Sequence, residues 1–135
     1  MTLFAVFVAN PALACKPAPD AAWYKSPEEN YRTHPVVFVG ELVSANQWGG
    51  KPAGDGPNTG RFRVIKALKG KLGKEVSYTG AWHSCGFFDD KGHILLVFAG
   101  PLTNGQIHMS AITPRKSFDD EASALAFAAN LLRAN

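Results

Sequence analysis

Between residues 36 and 113 the chain breaks into five short segments of strand character, each set off by glycine or proline. They read "VVFVGELVSANQW", "RFRVIKALKG", "EVSYTG", "HILLVFAG" and "QIHMSAIT". Regular spacing of short strands with turn signals between them points to a small closed or partly closed barrel, not to a parallel α/β sheet. The run Val36 to Val39 is continuously β-branched or aromatic, the mark of a strand buried on both faces. Gly40 inside that pattern predicts a bulge or bend. In the second segment Phe62 and Val64 share a face, with Arg61, Arg63 and Ile65 opposite. Val76 and Tyr78 alternate with Ser77 and Thr79 in the third, and Ile107, Met109 and Ala111 with His108 and Ser110 in the fifth. "HILLVFAG" is the most uniformly apolar of the five.

The connections are equally marked. Residues 49–60, "GGKPAGDGPNTG", form a long hairpin loop, "KGKLGKE" a tight basic turn, and Asn104-Gly105 a hairpin turn. "AWHSCGFFDDKG" is a connector carrying Cys85. Ahead of the strands, Ser26-Pro27-Glu28-Glu29 starts a short helix, with Ser as N-cap, Pro at the first position and acids in the first turn, and Pro35 ends it. Behind them the period changes. Ala122, Leu125, Ala126, Ala129 and Leu132 recur at helical spacing, Ser117 can cap, Asp119, Asp120 and Glu121 suit the first turn and Arg133 the last. This predicts a C-terminal amphipathic helix packed on the sheet. No repeat or second domain is visible.

The 135 residues are 46% hydrophobic and 19% charged, so they can build one ordinary core. A net charge of +3 is too mild to imply nucleic acid. The opening "MTLFAVFVANPALA" carries no charge. Its apolar run from Leu3 to Ala9 is short of the ~20 residues a membrane span needs but fits the apolar middle of a secretory signal. Ala12 and Ala14 stand at the −3 and −1 positions of a cleavage site before Cys15, with Pro11 just upstream. Residues 1–14 are therefore expected to be a signal peptide. No Lys or Arg precedes the apolar run, which is what a truncated leader would show. Residues 15–135 are then one exported domain, periplasmic or extracellular, with no transmembrane segment in the mature chain. A lipoprotein signal also cuts before Cys. It favours a larger aliphatic residue where Ala12 stands, so a lipid anchor on Cys15 is the lesser alternative.

"VVFVGELVSA", "RFRVIKALKGKLGKEVSYTG" and "SCGFFDDKGHILLVFAG" together resemble the netrin-like (NTR) family that includes the tissue inhibitors of metalloproteinases, in its bacterial, TIMP-like exported branch. The resemblance runs from Cys15 to about Ser117. It implies a mainly β fold: a five-stranded, Greek-key barrel of the oligonucleotide/oligosaccharide-binding (OB-fold) type, with the short N-terminal helix and the C-terminal amphipathic helix beside it. It also implies a disulfide from Cys15 to Cys85. An even pair of cysteines and an oxidising destination agree with that bridge. Closing a loop of ~70 residues would add ~4 kcal/mol by constraining the unfolded chain. The chain departs from the animal inhibitors in two ways. It lacks their further disulfides, and it begins Cys15-Lys16-Pro17 where they begin Cys-x-Cys.

Four kinds of chemistry were weighed. In the inhibitors the terminal Cys presents its free α-amine and carbonyl to a protease's zinc. An α-amine of pKa ~7.7–8.0 keeps a neutral fraction near pH 7 for this, and a chelate would fill the open position of a catalytic zinc. Carried over, the partner-binding ridge is Cys15, Lys16 and Pro17 beside Ala81, Trp82, His83 and Ser84. A catalytic pair of His83 and Cys85 would need the thiol that a disulfide consumes, and no nucleophile elbow, zincin motif or phosphate loop occurs. The chain is expected not to be an enzyme. His34, His83, His93, His108 and Asp89-Asp90 lack ligand spacing, so no metal and no cofactor are expected. Lys66, Lys69, Lys71 and Lys74 around one turn, with Phe62 and Tyr78 near, could suggest single-stranded nucleic acid. Export and a core role for Phe62 argue against it. Trp23, Tyr24, Tyr31, Trp48 and Trp82 lie in loops or at element ends, as covers of the barrel ends or as a partner patch. The expected function is a non-catalytic protein-binding module whose candidate partner is a zinc metalloprotease. The alternative is a structural, envelope-associated OB-fold module with no protease role.

Overall fold

The computed structural model describes residues 21–46, 57–80, 91–109 and 114–135. It is mainly β. A 3-10 turn at Ala22–Tyr24 leads into helix α1 (Pro27–Thr33). Six strands follow: β1 (Val36–Ala45), β2 (Thr59–Lys69), β3 (Glu75–Gly80), β4 (Ile94–Ala99), β5 (Gln106–Met109) and β6 (Arg115–Phe118). Helix α2 (Glu121–Ala134) closes the chain. The strands form one sheet in the order β5-β3-β2-β1-β4-β6. All neighbours are antiparallel except β3 and β5, which run parallel.

That order cannot lie flat. Ala99 ends β4 opposite Val36, whereas Gln106 starts β5 at the level of Ser77, Arg61 and Ser44. On a flat sheet the two points would be four strand spacings across and about eight residues along, roughly 32 Å apart. The link is short. Ala99 to Thr103 reaches at most about 14 Å, and Thr103 then pairs with Gln106 across the Asn104-Gly105 turn, both residues at positive φ (52° and 74°). The sheet therefore curls until β4 and β5 come into contact. Bulges in β1 supply the curvature, with register shifts against β2 at Val37/Phe38, Val39/Gly40 and Leu42/Ser44. The bulge expected at Gly40 is one of these. A β-carbon on Gly40 would sit 2.8 Å from the Phe38 ring, so the strand bends where the ring needs room.

The curl creates two apolar layers. Inside it, Phe38, Leu42, Phe62, Val76, Tyr78, Leu95, Val97, Ile107 and Met109 are all buried. On the outer face Val37, Val39, Leu96 and Phe98 pack against Ala124, Ala128 and Leu131 of α2. Val36 to Val39 are thus buried from both sides, as the uninterrupted run requires.

Two expectations are corrected. The sixth strand was not among the five segments. Its "RKSF" has one apolar residue in four and lies at the sheet edge against β4, too little pattern for a period-2 signal. Ser117 belongs to this strand and does not cap α2. Asp120 is the N-cap, accepting the Ser123 N–H at 2.7 Å. The buried face of α2 is also rotated from the expected one. Ala124, Ala128 and Leu131 face the sheet, Leu125 and Ala129 are half-buried, and Ala122, Ala126 and Leu132 are exposed. Alanines lie all round this helix, so periodicity alone admits overlapping faces. Packing selects the one whose alanines let the helix approach closely.

The caps are local and follow the sequence. Ser26 accepts from Glu29 N–H while Glu29 accepts from Ser26 N–H, a complete capping box with Pro27 at the first position. Lys69 donates to the carbonyls of Tyr31 (2.7 Å) and Arg32 (3.3 Å), closing the other end of α1. Arg63 bonds Glu41 through two nitrogens, at 3.0 and 2.6 Å, and reaches Glu121 at 3.7 Å, tying the start of α2 to the sheet. The Glu41 hydrogen bonds hold its guanidinium above the ordinary value.

The bond from the Ser123 backbone holds the Asp120 carboxyl below its ordinary value of 3.8. A depressed carboxyl contributes stability that is fully present above the unfolded value and is lost as pH falls through the folded one. Asp120→Ala should therefore lower the Tm at neutral pH, and the gap to the parent should close only below pH 3.8. Thermal unfolding followed by circular dichroism from pH 7 to pH 2 checks this. A gap unchanged at the acid end would remove the charged cap.

Candidate functional site

Chain connectivity brings one end of the sheet into focus. Ala45 ends β1 opposite Gly60, Gly60 stands opposite Tyr78, Thr59 opposite Thr79, and Gly80 opposite Met109. The ends of β1, β3 and β5 and the start of β2 thus lie together. The chain passes into residues 81–84 directly from Gly80.

This end is tightly tied. Asn46 donates from its side chain to Pro57 O (3.0 Å) and accepts from Thr59 N–H (2.8 Å), while its own N–H bonds Thr59 O (3.0 Å). It clamps the base of the β1–β2 connection as a side chain mimicking a turn. Gly80 N–H bonds Asn58 O at 2.7 Å. Asn58 is only 3% exposed. A β-carbon on Gly80 would stand 2.7 Å from Met109 O, so only glycine lets β3 and β5 run this close to the last pair. Below them Tyr78 lies against Gly60, inside the curl. The result is a rigid, mostly backbone platform with no acid or base of its own at its centre. It can hold a following segment in place.

The ridge residues Cys15, Lys16, Pro17, Ala81, Trp82, His83 and Ser84, and the Cys15–Cys85 pair, lie outside the described residues, as do Asp89, Asp90 and Trp48. Of the ridge, the structure places the root of its second half, Gly80. The other candidates are dispersed. His34 ends α1, its Nδ1 2.9 Å from Asn30 O and its ring against Phe98. His108 is exposed on β5 opposite Thr79, and His93 precedes β4. Among the described residues no three His, Cys, Asp or Glu side chains gather as a metal site would need. Lys66, Lys71 and Lys74 are exposed and Lys69 serves the end of α1. Phe62 and Tyr78 are interior, where no base could stack on them. Among the aromatics at element ends, Tyr24 is exposed and Tyr31 is half-buried beneath Lys69. No helix among the described residues is long and apolar enough to cross a membrane.

Asn46, Asn58, Gly60 and Gly80 were not singled out from the sequence. "PNTG" read as loop, although Asn58 and Gly60 are where the loop becomes strand. A second feature was equally silent: a cavity of about 290 Å³ beside α1, lined by Lys25, Pro27, Asn30, Phe98, Pro114, Arg115 and Lys116. No protein-family model matches the chain, and no curated protein matches it.

Proposed function

We propose that the chain is an exported, non-catalytic OB-like module that binds a protein partner where β3 passes into residues 81–84. The observation that carries this is the tied strand end: Gly80 is held by Asn58 on one side and by Met109 of the parallel strand β5 on the other. A recognition segment binds best when its root is immobile, because less ordering is then lost on association. The strand order supports the OB-type reading. β1 pairs with both β2 and β4, β3 runs beside β5, and the curl brings β4 to β5, as a partly open Greek-key barrel requires. In this reading β6 is an addition at the edge of β4.

The proposed partner is a zinc metalloprotease, met by the α-amine and carbonyl of a processed Cys15 held beside Ala81 to Ser84 by a bridge to Cys85. Mass spectrometry of the exported protein should find Cys15 as first residue and a mass two hydrogens below the dithiol form. A panel of zinc proteases should then contain a target whose inhibition disappears on acetylating the α-amine. Equal inhibition before and after acetylation, or none at all, would remove the chelation mechanism and favour the structural, envelope-associated role. A chain recovered with residues 1–14 attached would remove export.

A further inference from the structure

The cavity beside α1 has a composition that selects a ligand. Its floor is Phe98, flanked by Pro27 and Pro114. Among the described residues that line it, the charged ones are all cations: Lys25, Arg115 and Lys116. The Lys116 amine stands over the rings of Phe118 and Phe127, at 5.6 and 5.4 Å, so its charge is drawn to one side. Lys25 and Arg115 are left as the cations of the cavity.

The decisive group is Asn30. It is only 2% exposed, and its amide donates from Nδ2 to Ala22 O (2.9 Å) and Lys25 O (3.3 Å). Two carbonyl acceptors fix which way the amide faces. Its Oδ1 is buried and accepts no hydrogen bond. A buried acceptor left unmatched is costly, and here it lies in the wall of a cavity that also offers positive charge. A ligand satisfying both needs an anionic group and, next to it, an N–H or O–H.

We propose that this cavity binds an α-acylamino carboxylate, its carboxylate between Lys25 and Arg115 and its amide N–H donating to Asn30 Oδ1. The apolar floor takes the small side chain, and the volume, close to the lower limit of ~300 Å³ for ligand sites, restricts the buried part to about one residue. A free N-acylated amino acid and the last residue of a peptide share this chemistry.

The test is a titration of the full chain, followed by ¹⁵N–¹H NMR shifts, with N-acetyl-L-alanine. Acetate, the methyl ester and O-acetyl-L-lactate serve as comparison ligands. Saturable shifts centred on Asn30 and Arg115 are expected, weakened about tenfold in Lys25→Gln and in Arg115→Gln. O-acetyl-L-lactate, which has no N–H, should bind several-fold more weakly. Both variants alter side chains at the surface or its edge, so unchanged thermal unfolding verifies their fold. A tetrapeptide with a free carboxyl end that binds at least as well as N-acetyl-L-alanine assigns the site to peptide ends, and weaker binding assigns it to the free small acid. No saturable shift, equal binding of the ester or acetate, or indifference to both substitutions would overturn the proposal.

Discussion

Phe62→Ala should cost about 3–5 kcal/mol of stability, the range for emptying a buried aromatic site. Phe62 is 0% exposed and sits at the middle of the inner layer. Its ring meets Phe38 edge-on at 5.5 Å and Tyr78 at 5.4 Å, so one residue joins the rings of β1, β2 and β3. Its cross-strand partners are Leu42 and Val76, themselves buried. The neighbours are held from both sides by the bulged strand and the curl, and they cannot collapse into the space. The Tm should fall by about 10 °C or more. Arg61→Ala, one residue earlier and exposed, should stay within about 0.5 kcal/mol. Urea unfolding of the three proteins measures this directly. A Phe62→Ala loss below about 1 kcal/mol would mean that the inner layer does not carry the fold.

Gly60→Ala should destabilise by about 3 kcal/mol or more, an unusual penalty for adding one methyl. A β-carbon there would meet the Tyr78 ring at 2.5 Å and press on the Ser44 carbonyl. Ser44 belongs to the paired backbone of β1, so the clash cannot be relieved by rotating a side chain. Tyr78 is 1% exposed and packed against Phe62, which removes the other escape. At Gly40 the added carbon would meet mainly the Phe38 ring edge, so Gly40→Ala should cost less. In a double-mutant cycle Gly60→Ala and Tyr78→Leu should couple by roughly 1–3 kcal/mol, since shrinking the ring relieves half of the clash. Strict additivity in denaturant unfolding would show that the ring does not press on this glycine.

Both residues show what can be read along a chain. Phe62 is legible as interior because Phe62 and Val64 alternate with Arg61 and Arg63. Gly60 is not. In "GPNTGRF" it looks like the last residue of a loop, and only the register that sets it opposite Tyr78 and near Ser44 makes it a strand position. The same holds for the candidate sites. The caps of α1 lie within four residues of one another and were visible. Asn46 and Asn58 act on backbone more than ten residues away or across strands, and the cavity collects Lys25, Asn30, Phe98 and Arg115 from distant parts of the chain. No local pattern encodes such meetings.

The sequence by itself determined the alternation of the first five strands, the Gly40 bulge, the Asn104-Gly105 turn, the capped N-terminal helix and the existence of a terminal helix. Each depends on periodicity or on a backbone preference acting over a few residues. Tertiary structure decided the rest: the sixth strand, the face that α2 buries, the curl that joins β4 to β5, and the pinning of Gly80. These depend on contacts between segments far apart in the chain. A short β4–β5 link closes the sheet only once β1 has paired on both sides, and a helix rich in alanine has no preferred face until a sheet is there to choose it.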